Sequence, residues 1–329
     1  MKIGVVILTY NGIGNTLECI DSLNKSSLKK NDLVIAVVDN NSDYKNYKNL
    51  KNSIDMMNNV ILLRNSENLG YSLGCNVGIR YLLNQYELDK IIVSNDDLIY
   101  DDNFMNVLYH YESNNEMIGP LILCYPDKNI IWSAGGYIDL KNGRGMHYNK
   151  GSNVNNTKLE KRNCKFISGA CLIVPANILK ETNGLPESYF FGGEEWEYSL
   201  QVKKMGYNII FDPNLIIYHK VKSKLMHGSS HNYTNPFFVY NGITTKFVFM
   251  NRNAPFFWKI IWRNIYYNYV KRKYLDSSKF QMYLNKIYSK KIDSKKFIKL
   301  VKLALTFKKC KSITLEDIKI AKNIMNESE

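Results

Sequence analysis

With 329 residues, 45% of them hydrophobic and 22% charged, the chain can bury one large core plus an appendage, and it is too apolar for a disordered protein. No uninterrupted apolar run reaches bilayer length, and the opening MKIGVVILTYNG lacks the apolar core and small-residue cleavage site of a signal peptide, so a cytoplasmic protein is expected. The formal charge of +14 is confined to one end: residues 241–329 hold 20 Lys+Arg against 6 Asp+Glu, whereas the first 240 hold 24 of each.

The elements follow in chain order. KIGVVILTY is a continuous apolar strand of the kind covered on both faces of a sheet. Thr16 to Asn24 reads as a helix, with Leu17, Ile20 and Leu23 on one face. LVIAVVDN, NVILLRN and KIIVSNDD are further strands, and Gly74 to Asn84 is helical. Alternation of strand and helix predicts a parallel α/β sheet with right-handed crossovers. Phe104 to Glu112 is helical, GPLILCYP and IIWSAGGYIDL are strands, NGRG is a turn, and Asn149 to Asn163 is a polar loop. KFISGACLIVP is a strand and Ala176 to Thr182 a short helix. A helix from Glu194 to Met205, closed by Gly206, precedes YNIIFDPNLIIYHK. Two regions follow from this: a body over 1–240, and a basic, aromatic-rich helical extension over 241–329.

In that extension, PFFWKIIWRNIYYNYVKRKY mixes large aromatics with cations, and KKFIKLVKLALTFKKCK places apolar residues at helical spacing opposite lysines. Such helices suit an anionic membrane surface, so peripheral contact through 241–329 is one expectation; a helical subdomain packed on its own apolar faces is the other. No recognition motif accompanies the charge, so no nucleic-acid partner is expected. The six cysteines are scattered without a C-x-x-C pair, which points to reduced, mostly buried thiols.

Open parallel sheets bind ligands at the carboxyl ends of their strands. Here those ends read Thr9-Tyr10-Asn11-Gly12, Asp39-Asn40-Asn41-Ser42, Asn65 to Ile79, and Asn95-Asp96-Asp97. Alone, Asp39 reads best as a cap and Asn68-Leu69-Gly70 as a loop entering a helix. No Walker lysine follows the glycines, which excludes a P-loop. Carboxylates at a strand end suit Mg²⁺ or Mn²⁺, and through the ion a diphosphate.

VVILTYNG, VVDNNSD, NLGYSLGCNVGI, SNDD and FGGEEWEYSLQVKKMGY, in this order and spacing, resemble family 2 glycosyltransferases over residues 3 to 220, and within them the rhamnosyltransferase-like bacterial enzymes of polysaccharide assembly. The resemblance implies the GT-A fold, a Rossmann-like, mixed and mostly parallel sheet flanked by helices. It also implies inverting transfer from a nucleotide-sugar donor to a glycan or lipid-linked glycan acceptor. It assigns Thr9, Tyr10, Asn11 and Asp39 to the donor nucleotide, and Asn68, Gly70 and Asn76 to the nucleotide-sugar pocket. Asn95, Asp96 and Asp97 match the D-x-D element, with Asp97 a ligand of the divalent cation and His219 completing the metal or diphosphate site. The general base falls on Glu195, with Glu194 beside it toward the acceptor and Glu197 a structural anchor. Two departures stand out: glutamates replace the usual aspartates at 195 and 197, and Asn95 leaves the acidic element one carboxylate short. Motif similarity favours dTDP-rhamnose as donor, then a UDP-hexose. Two other readings compete. A sugar-phosphate nucleotidyltransferase would need a basic residue in LTYNGIGN, which has none; a non-catalytic binder of anionic surfaces would need only the tail.

Overall fold

The apolar runs at the start of the chain become strands because helices cover both of their faces. β1 (Ile3–Thr9), β2 (Leu33–Asp39), β3 (Val60–Arg64) and β4 (Lys90–Asn95) run parallel, with β1 central between β4 and β2. Side chains alternate across a strand. Ile3, Val5 and Ile7 of β1 therefore enter one core with Ile20 and Leu23 of α1 (Ile13–Ser26), while Val6 enters a second with Cys75, Ile79 and Leu82 of α3 (Tyr71–Gln85). These features belong to a computed structural model that describes residues 1–26, 32–221, 236–276 and 294–326.

One helix is absent from the sequence reading. α2 (Tyr44–Ile54) is dominated by lysine and asparagine, and only Leu50 and Ile54 are buried. It forms because Asp43 caps it, accepting from the Asn46 amide at 2.9 Å, and because those two side chains contribute roughly 1.5–3 kcal/mol each on burial.

The sheet then turns mixed. After β5 (Leu98–Tyr100) and α4 (Phe104–Tyr109), β6 (Glu116–Cys124) enters the sheet beside β11 (Cys171–Pro175), which runs antiparallel to β4. IIWSAGGYIDL is two strands rather than one. β7 (Ile131–Ser133) pairs with β6, and β8 (Gly136–Asp139) pairs with β9 (Arg144–His147) in a separate ribbon. The break falls at Gly135, whose φ of +73° is a left-handed conformation a strand does not hold. The polar loop carries the short β10 (Arg162–Asn163), and α5 (Ala176–Thr182) follows β11. α6 (Glu194–Lys204) ends as expected, with Gly206 at φ +90° and the Tyr207 amide donating to the Val202 carbonyl. β12 (Asn208–His219) closes the order β10-β12-β6-β11-β4-β1-β2-β3.

The chain divides into two compact units. The first holds residues 1–138, 145–186 and 194–229, and thus the sheet. The second holds 139–144, 187–193 and 230–329. In the second, α7 (Pro236–Asn253) is buried along most of its length. Pro255 cannot continue that helix and instead starts α8 (Phe256–Tyr274). α9 (Ser294–Thr306) packs on α7 with Phe297, Leu300, Val301 and Ala304 buried, and α10 (Leu315–Asn326) completes the unit. The apolar face of KKFIKLVKLALTFKKCK is therefore interior to this unit. Among the described residues, no helix is long and apolar enough to cross a membrane. All six cysteines are free and all but Cys310 are buried.

Candidate active site

Strand register brings the polar strand ends together within the first unit. Thr9 lies opposite Asp39, Leu8 opposite Asn95, and Asp39 opposite Arg64. Because β11 is antiparallel to β4, pairing Cys171 with Ser94, the turn at Ser168–Ala170 arrives at the same edge. β12 is parallel to β6 and antiparallel to β5, so its last residue, His219, lies opposite both Cys124 and Leu98.

One side of this edge is a network of amides. Asn40 donates to the Asn68 side chain at 3.1 Å and to the Gly70 carbonyl at 3.0 Å, and accepts from Asn65 and from the Leu69 amide, each at 3.0 Å. Gly70 opens α3 at φ +80° and ψ −165°, a backbone for which glycine is suited. Asn11, at φ +56°, accepts from the Asp43 amide and donates its own amide to Ser42. Asp39 is fully buried; it accepts from the Ser42 amide at 3.3 Å and faces the Arg64 guanidinium at 3.5 Å. Tyr10 projects beside them, half exposed. Asn76 stands apart: it is fully buried, and its amide both donates to the Leu185 carbonyl at 3.0 Å and accepts from the Leu185 amide at 2.8 Å. It clips α3 to the segment after α5.

The acidic strand end divides its work. Asp96 accepts from Thr9 Oγ1 at 2.7 Å, and burial pushes its carboxyl up to about 6 despite that bond. Asp97 pairs through Oδ2 with His219 Nε2 at 3.1 Å. Burial pushes Asp97 up, but the hydrogen bond and charge of His219 outweigh it and hold the carboxyl below its ordinary value. Asp97 Oδ1 and His219 Nδ1 are buried without a hydrogen-bond partner among the described residues. Orphaned buried acceptors of this kind suit a cation. No cluster of three or more His, Cys, Asp or Glu side chains able to hold a metal occurs among the described residues. Asp97 and His219 would therefore contribute two donors to a divalent-cation site, not a full cage.

The three glutamates occupy the first turn of α6, where the helix dipole favours negative charge. Gly192 and Gly193, at φ +84° and +92°, turn the chain into that helix. Glu194 and Glu197 are buried, whereas Glu195 is the partly accessible one. Glu195 lies against Gly169: a Cβ there would meet Glu195 Cβ at 3.3 Å. The Gly169 carbonyl accepts from the Tyr71 hydroxyl, and the next carbonyl, of Ala170, accepts from the Asn95 amide at 2.9 Å. Burial, reinforced by Cys75, Glu194 and Glu195, raises the Tyr71 phenol well above its ordinary range, so it stays a donor. Backbone 169–170 therefore links Glu195 to the acidic strand end.

Several participants escaped sequence reasoning. Trp132 is only partly buried; its ring meets His219 edge-on at 4.8 Å between centroids, and the Lys150 ammonium lies 5.4 Å from the ring centre. Gly12 is the close-approach glycine, since a Cβ would sit 2.1 Å from Asp96 Oδ2. Its place in VVILTYNG was the available signal; Trp132 and Lys150 had none, because irregular backbone brings them in.

Known proteins share the fold and part of the sequence. The low-salt glycan biosynthesis hexosyltransferase Agl10 of Haloferax volcanii is 25% identical over 158 residues, 43% of this chain and 46% of its own, so the match spans about half of that relative. GalNAc-T7, solved with UDP, GalNAc and Mn²⁺, shares the fold at TM-score 0.59 and 17% identity, over 91% of this chain and 56% of its own. The mannosyltransferase PcManGT of Pyrobaculum calidifontis, solved with GDP-Man and Mn²⁺, gives 0.52 at 12% identity over 98% and 79%. S. aureus TarS 1-349 with UDP-GlcNAc gives 0.51 at 16% identity over 99% and 91%. These likenesses identify the fold of the sheet unit as GT-A. The glycosyl transferase family 2 model matches residues 4–182, more than half of the chain and the ends of β1 to β4, and the chain belongs to that family.

Proposed function

We propose that the protein is an inverting glycosyltransferase that moves a hexose from a nucleoside-diphosphate donor to a hydroxyl of a glycan or lipid-linked glycan. The observation that supports this best is the link from Glu195 through Gly169 and Ala170 to Asn95, beside the Asp97–His219 pair. A base and a diphosphate-binding end on one rigid edge are what a direct displacement requires.

In this reading Tyr10, Asn11 and Asp39 hold the nucleoside, with the Tyr10 ring free to stack on the base. Asn68 and Gly70 line the sugar side, and Asn76 acts by fixing α3. Asp96, bonded to Thr9, shapes the strand end. Asp97 and His219 would hold a divalent ion, which when bound neutralises charge developing on the departing diphosphate. The acceptor oxygen attacks the anomeric carbon while its proton passes to the Glu195 carboxylate, and the bond from that carbon to the diphosphate oxygen breaks. Glu194, buried at the helix start, positions Glu195. The extra methylene of a glutamate lengthens reach toward the acceptor relative to aspartate. The motif resemblance orders the donors as dTDP-rhamnose, then a UDP-hexose.

The test is release of nucleoside diphosphate by the full chain from dTDP-, UDP- and GDP-sugars, with and without Mn²⁺. Release of nucleoside diphosphate from one donor is expected. Release of pyrophosphate would overturn the reading in favour of nucleotidyl transfer, and stabilisation by no nucleotide on heating would remove the donor site altogether.

A further inference from the structure

The second unit carries a surface that glycosyl transfer does not explain. Along α8, Phe257, Ile261, Ile265 and Tyr269 recur every four residues and are 80%, 51%, 58% and 52% exposed, with Phe256 and Ile260 beside them at the amino-terminal end. Residues four apart share a side of a helix, so this is a continuous apolar stripe. The same helix carries Lys259, Arg263, Lys271, Arg272 and Lys273 and no acidic residue.

Beside the stripe lies a pocket of about 370 Å³ walled by Trp258, Trp262 and Tyr266 and lined by Lys141, Arg144 and Lys246. Ile265 and Tyr269 line both this pocket and a second of about 500 Å³ that includes Arg272 and Lys273. Among the described residues, neither pocket is lined by a carboxylate, and neither Arg144 nor Lys246 has an ion-pair partner. Burial, with Arg144 and Lys273 close by, holds the Lys246 ammonium below its ordinary value. Asp139 offsets part of the Arg144 charge but lines neither pocket, so cations outnumber acids here, an excess that suits an anion.

We infer that α8 and its flanking pockets dock the protein on an anionic phospholipid surface, with lipid phosphates in the Arg144–Lys246 pocket and the stripe in the interfacial layer. Charge complementarity selects this occupant. A free anion would use the pocket but leave the stripe idle, and a second copy of this chain would bring the same positive charge to the contact. An amphiphile fills both at once. α9, whose sequence reads as the better amphipathic helix, has its apolar face covered, so α8 is the membrane-facing element.

The inference stands on the second unit alone and is tested without donor or acceptor, so its failure leaves the transferase reading intact. The full chain is sedimented with vesicles of phosphatidylcholine, alone or with about 30% phosphatidylglycerol. Partition onto the anionic vesicles should be at least roughly tenfold greater and should fall as salt rises. Ile261→Asp with Ile265→Asp, both on exposed positions, should lower that partition at least tenfold at an unchanged melting temperature. Arg144→Ser with Arg272→Ser should remove the preference for anionic lipid. Equal binding to both vesicles, or binding to neither, overturns the inference. So does inorganic phosphate raising the melting temperature while vesicles bind nothing, or a dimer in solution that the Ile261→Asp, Ile265→Asp variant dissociates.

Discussion

Adding one methyl group at Gly12 tests how tightly the acidic strand end is held. The new Cβ would lie 2.1 Å from Asp96 Oδ2 and 3.0 Å from Thr9 Oγ1, so the carboxylate must retreat by about 0.9 Å to reach even 3.0 Å. A retreat of that size along the Thr9 bond takes it from 2.7 Å to beyond hydrogen-bonding reach. A lost hydrogen bond to a charged group costs about 1.5–3 kcal/mol and overpacking about 1–3 kcal/mol, against a gain of about 0.4–1 kcal/mol from the stiffer unfolded chain. Gly12→Ala should therefore destabilise by about 2–5 kcal/mol in urea unfolding followed by circular dichroism. Gly14, two residues on and inside α1, is the internal control: nothing lies within 4 Å of its added Cβ. Gly14→Ala should be neutral or stabilise by up to about 1 kcal/mol. Gly12→Ala as stable as Gly14→Ala would refute the fixed placement of Asp96.

Three further outcomes follow from named contacts. Asn76→Ala leaves the Leu185 amide and carbonyl unpaired in the core and should cost roughly 2–5 kcal/mol in urea unfolding; a loss under about 1 kcal/mol would argue against the two-point clip. Burial, followed by the nearby Lys150 charge, pushes His147 down to about 3, far below its unfolded value near 6.5. The unfolded state then binds more protons across that window, so stability falls as pH drops from about 6.5 toward 3, by at most about 1.4 kcal/mol per pH unit. His147→Gln should flatten the slope of urea midpoints between pH 7 and 4.5, and parallel slopes would contradict it. Asp97→Asn should weaken Mn²⁺ binding in the presence of UDP at least roughly tenfold by titration calorimetry, with nucleotide binding in the absence of metal unchanged.

What the sequence disclosed and what it hid have physical causes. β1, β2 and β4 are continuous apolar runs because they are buried on both faces, β3 at the sheet edge is only partly covered, and the polar ends are legible because the runs stop there. α2 is held by a cap and two buried side chains in a polar segment, so its periodicity is faint. The single strand expected across 130–140 ignored a glycine that has to adopt positive φ. Asn76 sits in a motif that lines a donor pocket in the family, yet its partner lies 109 residues away, beyond the reach of local reasoning. Trp132 illustrates the same limit, since composition cannot tell a core indole from one lying edge-on to His219. The basic tail posed a related problem: α8 is rich in aromatics and α9 has the clearer amphipathic pattern, yet only tertiary packing decides which apolar face stays uncovered.

The most direct measurement of the central claim replaces Glu195 by glutamine, which removes the base and keeps the side chain's size. With the donor that supports turnover, Glu195→Gln should lower nucleoside diphosphate release to acceptor by at least roughly a hundredfold while donor affinity stays within about twofold. Near-normal turnover in that variant, or a loss of donor binding that accounts for the whole effect, would contradict the assignment of Glu195 as the group that takes the acceptor's proton.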